Sequence, residues 1–181
     1  CQYSQGHRYL GGFVGSEEAR QAWLDPQIQQ WVDGVKIFAR VAKKYPQTAY
    51  AGLVKSLQAE WTYLQRVTPD VEAAFAPVEK AIAEDFLPAL LGDTTATAAS
   101  LREISKLPVR LAGLGLPDPV ESAPGHLRAS VAMTKAVSIS LRDAQPLDAI
   151  GYGKAAARIL KRHQEAKEKQ AKEKQLTASL Q

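Results

Sequence analysis

Between residues 106 and 119 the chain reads Lys-Leu-Pro-Val-Arg-Leu-Ala-Gly-Leu-Gly-Leu-Pro-Asp-Pro, and no regular helix or strand can run through it. Pro108 biases Leu107 away from the α region and removes a backbone donor. Gly113 and Gly115 permit positive φ, so the chain can turn where a side chain would clash. Val109, Leu111, Leu114 and Leu116 nevertheless call for burial. An irregular segment that is also apolar predicts a buried tether around which helices pack. Arg110, the one charge in its middle, needs a partner or an exit to solvent.

The rest of the chain reads as mostly α. At 181 residues, with 45% hydrophobic and 23% charged content, it suits one ordinary domain with a self-sufficient core. Strand-like alternation is scarce. The best strand candidate is 7–14, where Tyr9, Leu10, Phe13 and Val14 are interrupted by Gly11 and Gly12. Paired glycines mark a bulge, a tight turn or the close approach of another backbone, or they simply end a terminal strand. Ser16 followed by Glu17 and Glu18 reads as a capped helix start over 17–24, and Asp25-Pro26 kinks that helix or starts a second.

From 26 to 44, Ile28, Trp31, Val32, Val35, Phe38, Ala39 and Ala42 recur at helical spacing and form an apolar face. Lys36, Arg40, Lys43 and Lys44 fall on and beside the opposite face. Cations spaced along a rigid rod suit phosphate tracking, and a charged outer face is also what any soluble helix shows. Tyr45-Pro46 breaks the helix, and a second follows over 47–66 with Tyr50, Leu53, Val54, Leu57, Trp61 and Leu64 inward, an antiparallel neighbour of the first. Trp31, Phe38, Tyr50 and Trp61 read as contacts across that pair. An aromatic at such spacing can also stack on a base. Thr68-Pro69-Asp70 repeats the cap-and-proline signal for a helix over 70–91 made irregular by Pro77 and Pro88. Glu84 and Asp85 are adjacent, so on a helix they diverge and form no matched carboxylate pair.

Residues 92–97 are a polar link, and a short helix over 96–105 enters the tether loop. Ser122-Ala123-Pro124 begins a helix over 124–142, with Leu127, Val131, Val137 and Leu141 apolar. From about 148 a long polar helix rich in Lys and Glu follows, either solvated or docked on something else. The architecture expected is a helical bundle with a short N-terminal β-strand or hairpin and a long charged C-terminal helix. Its organisation reads as 1–92, 93–147 and 148–181.

Self-contained chemistry is missing from the motifs. There is no P-loop, GxGxxG, nucleophile elbow or HExxH, and His7, His126 and His163 are far apart in sequence. With Cys1 the sole cysteine, no internal disulfide forms and no zinc ligand set suggests itself. No apolar run approaches the ~18 residues of a membrane span. The start carries no signal-peptide pattern and no initiator Met, so a fragment of a longer intracellular polypeptide, cytoplasmic or nuclear, is the expectation. A net charge of +4 and a pI of about 9.2 permit a polyanionic partner without demanding one.

Leu107 to Pro119 resembles the "LPxRxGGLG" segment that follows the polymerase domain in many non-LTR retrotransposon-type reverse transcriptases, with Ala112 standing where a glycine is common. Gly6 to Ser16, with Tyr9-Leu10-Gly11, resembles their "YLG" primer grip, and Tyr45 to Arg66 is similar to their thumb. Together these cover most of the chain in the family's order, without the palm and its paired aspartates. The resemblance implies the C-terminal, thumb and post-polymerase region of an RNA-directed DNA polymerase. Tyr9, Leu10 and Gly11 would shape the primer-terminus contact, and Lys36, Arg40, Lys43 and Lys44 would meet phosphates of an RNA–DNA or DNA duplex. The catalytic aspartates and two divalent Mg ions would belong to the upstream palm, a partner in the same polypeptide, leaving no cofactor in this chain. The competing expectation is a helical protein–protein interaction module with a charged, coiled-coil-like arm.

Overall fold

A computed structural model describes residues 5–92 and 98–178. The fold is mostly α with one antiparallel hairpin at its N-terminal end, as the sequence predicts. Strands β1 (Gly6–Tyr9) and β2 (Gly12–Gly15) pair with Tyr9 opposite Gly12 and Gly6 opposite Gly15. Leu10 and Gly11 make the two-residue turn, at φ 46° and 80°. Positive φ at both central residues is the handedness of a type I′ turn, whose twist matches that of the strands.

Helix α1 (Glu17–Ala42) starts as expected, the Ser16 hydroxyl accepting the Ala19 N–H at 3.3 Å. It then runs unbroken through Pro26, with neither a restart nor a second cap. One donor is lost there. The Gln27 side-chain amide donates to the Trp23 carbonyl at 3.2 Å, and Leu24 and Ile28 are buried on either side of the proline. Packing outweighs the local break signal.

After Tyr45 the chain turns into α2 (Pro46–Gly52), a π-turn (Leu53–Leu57) and α3 (Gln58–Val67), which form the continuous second rod the periodicity predicts. The expected cap at Thr68-Pro69-Asp70 is replaced by a different junction. Thr68 closes α3 with its N–H on the Leu64 carbonyl, and Asp70 takes φ 52°. The next rod begins two residues later as a 3₁₀ turn (Glu72–Phe75), then α4 (Ala76–Ala81), a π-turn (Ile82–Phe86) and α5 (Leu87–Leu91). Pro77 sits in the first turn of α4, where its missing donor has no helical partner to lose. Pro88 lies in the first turn of α5, two residues past the second π-turn. The wider turn relieves the clash a proline ring makes with the carbonyl four residues back.

These rods enclose one core. Trp31 of α1 stacks on Phe75 at 5.8 Å and meets Trp61 edge-on at 6.4 Å. Leu24, Val35, Leu53, Phe75, Val78 and Phe86 are fully enclosed around them, each side chain stabilising by roughly 1.5–3 kcal/mol.

Gly92 ends α5 at φ 76°, and the rest of the expected link, 93–97, lies outside the described residues. Helix α6 (Ala98–Lys106) leads into the loop, which contains a 3₁₀ turn at Val109–Leu111. Helix α7 (Pro119–Arg142) starts five residues before the sequence expectation. Asp118, not Ser122, caps it, its Oδ1 accepting the N–H groups of Val120 at 2.8 Å and Glu121 at 3.2 Å. The last helix is α8 (Ala149–Ala178), where expected.

The chain divides into two compact units, Cys1–Pro124 and Gly125–Gln181, so the tether loop falls within the first. In the second, His126 and His163 bring their rings to 5.9 Å. Half-buried positions recur there at 126, 130, 133 and 137 on α7 and at 152, 156, 159 and 163 on α8. Spacings of three and four residues are those of a helical-hairpin seam.

Candidate nucleic-acid interface

Lys36, Arg40 and Lys43 lie four and three residues apart, hence on one line along α1, and Lys44 follows at its end; all four are exposed. Lys43 is the C-cap and Lys44 places its ammonium 5.2 Å from the Tyr45 ring centre. Cations at a helix C-terminus also complement its dipole. The sequence holds a stronger signal than the stripe itself: from Gly34 to Ala59 there is no Asp or Glu, while Lys55 adds a fifth cation. Within this tract no carboxylate offsets the cations, and the nearest acid before it is exposed Asp33, one turn from Lys36.

The second candidate group is the hairpin tip. Tyr9 is 65% and Leu10 76% exposed. Tyr63 of α3 pins the tip, its hydroxyl donating to the Leu10 carbonyl at 2.6 Å. Gly11 lies against the same ring, where a Cβ would come within 2.8 Å of Cε1. At the base, Phe13 stacks on Trp23 of α1 at 5.3 Å. Leu10 is the anomaly. The first position of such a turn favours Asn, Asp or Gly, and a bulky residue there is strained. Strain kept at an exposed apolar tip points to a contact made by that side chain.

The two groups share a helix without meeting. Thirteen residues separate Trp23 from Lys36, about 20 Å along the axis. Trp31 and Trp61 are sealed in the core, Tyr50 is half-buried with its hydroxyl on the Leu114 carbonyl at 2.6 Å, and none of the three presents a ring for base stacking.

The tether loop behaves as a clamped element. Leu107 and Leu116 are buried, and Leu111 and Leu114 half-buried. Val109, expected inside, is 68% exposed because the 3₁₀ turn points it outward, and Arg110 beside it is also exposed. The loop carbonyls are taken by side chains of the surrounding helices. Tyr50 donates to Leu114, Gln58 to Gly115 at 3.4 Å, Arg102 to Leu116 at 2.7 Å and Gln65 to Pro119 at 2.8 Å. Arg102 also forms a two-pronged pair with Glu79. Lys106 gathers Glu103 at 2.7 Å, Asp118 at 3.3 Å and Glu121 at 4.0 Å. Burial alone pulls its pKa down, but the Glu103 hydrogen bond and the Glu121 and Asp118 charges outweigh this, so the ammonium is held above the ordinary lysine value.

Of these latching residues only Tyr50 stood out in the sequence, as an inward aromatic, and its bond to the loop was not foreseen. Gln65 sits on a polar-looking helix face, and Arg102 reads as an ordinary exposed cation until Glu79 and Leu116 are brought beside it. Ala112 is the exception that the motif flagged. It adopts φ 61°, ψ 19°, the left-handed region. At Gly113 a Cβ would overlap the Leu107 carbonyl oxygen, and Gly115 takes φ 62°. Three of four consecutive positions thus need glycine-like freedom, and one of them carries alanine.

Glu84 and Asp85 are exposed, with Glu84 3.8 Å from Lys80. Among the described residues no group of three or more His, Cys, Asp or Glu could hold a metal ion, and no helix is long and apolar enough to cross a membrane. Comparison with protein families, curated proteins and solved structures gives no match to this chain.

Proposed function

We propose that this chain is the thumb and post-polymerase region of a non-LTR retrotransposon-type reverse transcriptase, working in the cytoplasm or nucleus, and that it holds the primer–template duplex by phosphate contacts. The observation that carries the reading is the backbone of the loop. Where the family's motif has a glycine, Ala112 sits in left-handed conformation, between a proline-led turn and a glycine no side chain could replace. A resemblance of letters thereby gains a physical reason at the one position where the letters differ.

In this reading the α1 cations track phosphates and read shape, not bases. The strained tip at Tyr9, Leu10 and Gly11 bears on the primer terminus. The palm of the parent polypeptide supplies the aspartates and the divalent ions. Fluorescence anisotropy of an RNA–DNA hybrid tests the phosphate contacts, with wild type set against a Lys36→Gln, Arg40→Gln, Lys43→Gln, Lys44→Gln variant over a salt series. Loss of four contacts lowers the salt slope by about 3. Equal slopes for the two proteins would show that the stripe only faces solvent.

A further inference from the structure

We infer that the Gly125–Gln181 unit carries a second polyanion-binding face, on the outer side of α8, that takes the phosphate backbone of a nucleic acid independently of α1. The charge distribution is the first ground. No acid occurs between Glu121 and Asp143 or between Asp148 and Glu165. Over 122–164 seven Lys and Arg stand against two Asp, a net of +5 in a chain whose whole net is +4. Both of those acids are engaged: Asp143 holds Arg142 at 2.7 Å, and Asp148 caps α8 by accepting the Gly151 N–H at 3.0 Å. Neither is placed to quench α8.

Geometry is the second ground. Lys154, Arg158 and Lys161 recur at four and three residues, with Arg162 beside them, and all are exposed. Lys161 has one loose neighbour, Glu165 at 3.8 Å; Lys154, Arg158 and Arg162 have no acidic partner among the described residues. The run covers about 12 Å of helix axis. Duplex nucleic acid offers a charge every ~1.7 Å of axis, so each cation meets phosphate without a special register.

The same geometry disfavours a lipid surface. A helix lying on a membrane needs a continuous apolar face to bury. The apolar positions of α8 at Tyr152, Ala156 and Ile159 are half-buried on the side of His163, which faces His126, and lie opposite the basic run. What α8 turns outward is mainly charge, with two separated exposed apolar residues, Ile150 in the first turn and Leu160 to one side, too few for a continuous apolar face.

The test uses the full chain and a fluorescein-labelled 20-base-pair RNA–DNA hybrid, titrated from 50 to 300 mM salt. Lys154→Gln, Arg158→Gln, Lys161→Gln and Arg162→Gln are combined, alone and in the α1 quadruple background. The expected result is a loss of affinity of about tenfold or more at 100 mM salt and a slope lower by about 3, in both backgrounds. A charge-keeping variant, Lys154→Arg, Arg158→Lys, Lys161→Arg, Arg162→Lys, should bind as wild type, which separates lost charge from lost folding. Because the α8 effect is read without the α1 cations, it stands or falls separately from the thumb reading. Unchanged affinity and slope in the Gln variant would overturn the inference. So would failure of the charge-keeping variant to bind, or α8-dependent binding to phosphatidylserine vesicles with hybrid binding untouched.

Discussion

Ala112→Gly and Gly113→Ala, two adjacent exchanges, should move stability in opposite directions, each against ordinary propensity. Holding an L-residue in the left-handed region costs about 1–2 kcal/mol, and at Ala112 (φ 61°) glycine removes that cost. Glycine adds freedom to the unfolded chain worth about 0.4–1 kcal/mol, so the net gain is about 0.5–1 kcal/mol. For a chain of this size that is a rise in Tm of about 1–4 °C. At Gly113 the added Cβ meets the Leu107 carbonyl oxygen and carbon, backbone atoms that cannot rotate away. Leu107 N–H is tied to Ile104, and its carbonyl accepts the Gly115 N–H at 2.8 Å, so yielding would break the loop's own bond. A loss of about 2 kcal/mol or more is expected. Urea unfolding followed by circular dichroism reads both. If the loop were an unstructured linker, glycine-to-alanine would stabilise and alanine-to-glycine destabilise; that pattern of signs would refute the clamped-loop account.

Glu79→Ala should cost about 3 kcal/mol in the same assay, because it strands a guanidinium that is only 6% exposed. Tyr63→Phe removes the hydroxyl on the Leu10 carbonyl; amide exchange in β1 and β2 should quicken, with a global loss of no more than about 1 kcal/mol. Leu10→Asn should stabilise the hairpin by relieving its φ of 46°, and under the thumb reading should weaken hybrid binding at the primer end; a destabilised hairpin would show that the tip is unstrained. Lys106 has a raised pKa, so its contribution is fully present below the unfolded value of about 10.4 and is lost as pH climbs through the folded one. Stability of wild type should therefore fall more steeply than that of Lys106→Met above pH about 10.4, with parallel curves between pH 7 and 9.

Periodicity made the rods legible. The faces at Ile28–Ala42 and Leu53–Leu64, the hairpin glycines, the Ser16 cap and the polar last helix all follow from spacing alone. Local stop signals misled wherever packing was strong. Pro26 lies between two buried residues and α1 simply continues, while Thr68-Pro69-Asp70 closes one helix instead of opening the next. The π-turns at Leu53–Leu57 and Ile82–Phe86 were invisible, since one extra residue per turn shifts which side chains face inward without altering composition. That shift helps bring Gln65, eight residues past the first π-turn, into the core beside Pro119.

The tether loop shows why the latches were unreadable while the loop itself was obvious. A buried loop leaves carbonyls that water cannot reach, and each must find a donor. Tyr50, Gln58, Gln65 and Arg102 supply them from α2, the start and end of α3, and α6. Any polar residue on any neighbouring helix can meet such a need, so the sequence marks the demand, through Pro108, Gly113 and Gly115, and leaves the suppliers anonymous. The surface cations differ in kind. Their meaning lies in which charges are missing around them, as in the acid-free tracts at Gly34–Ala59 and between Asp148 and Glu165, and that absence is written in the sequence. The structure adds that both runs lie on the exposed face of a long helix, where Glu165 beside Lys161 is the one acid found paired with them among the described residues.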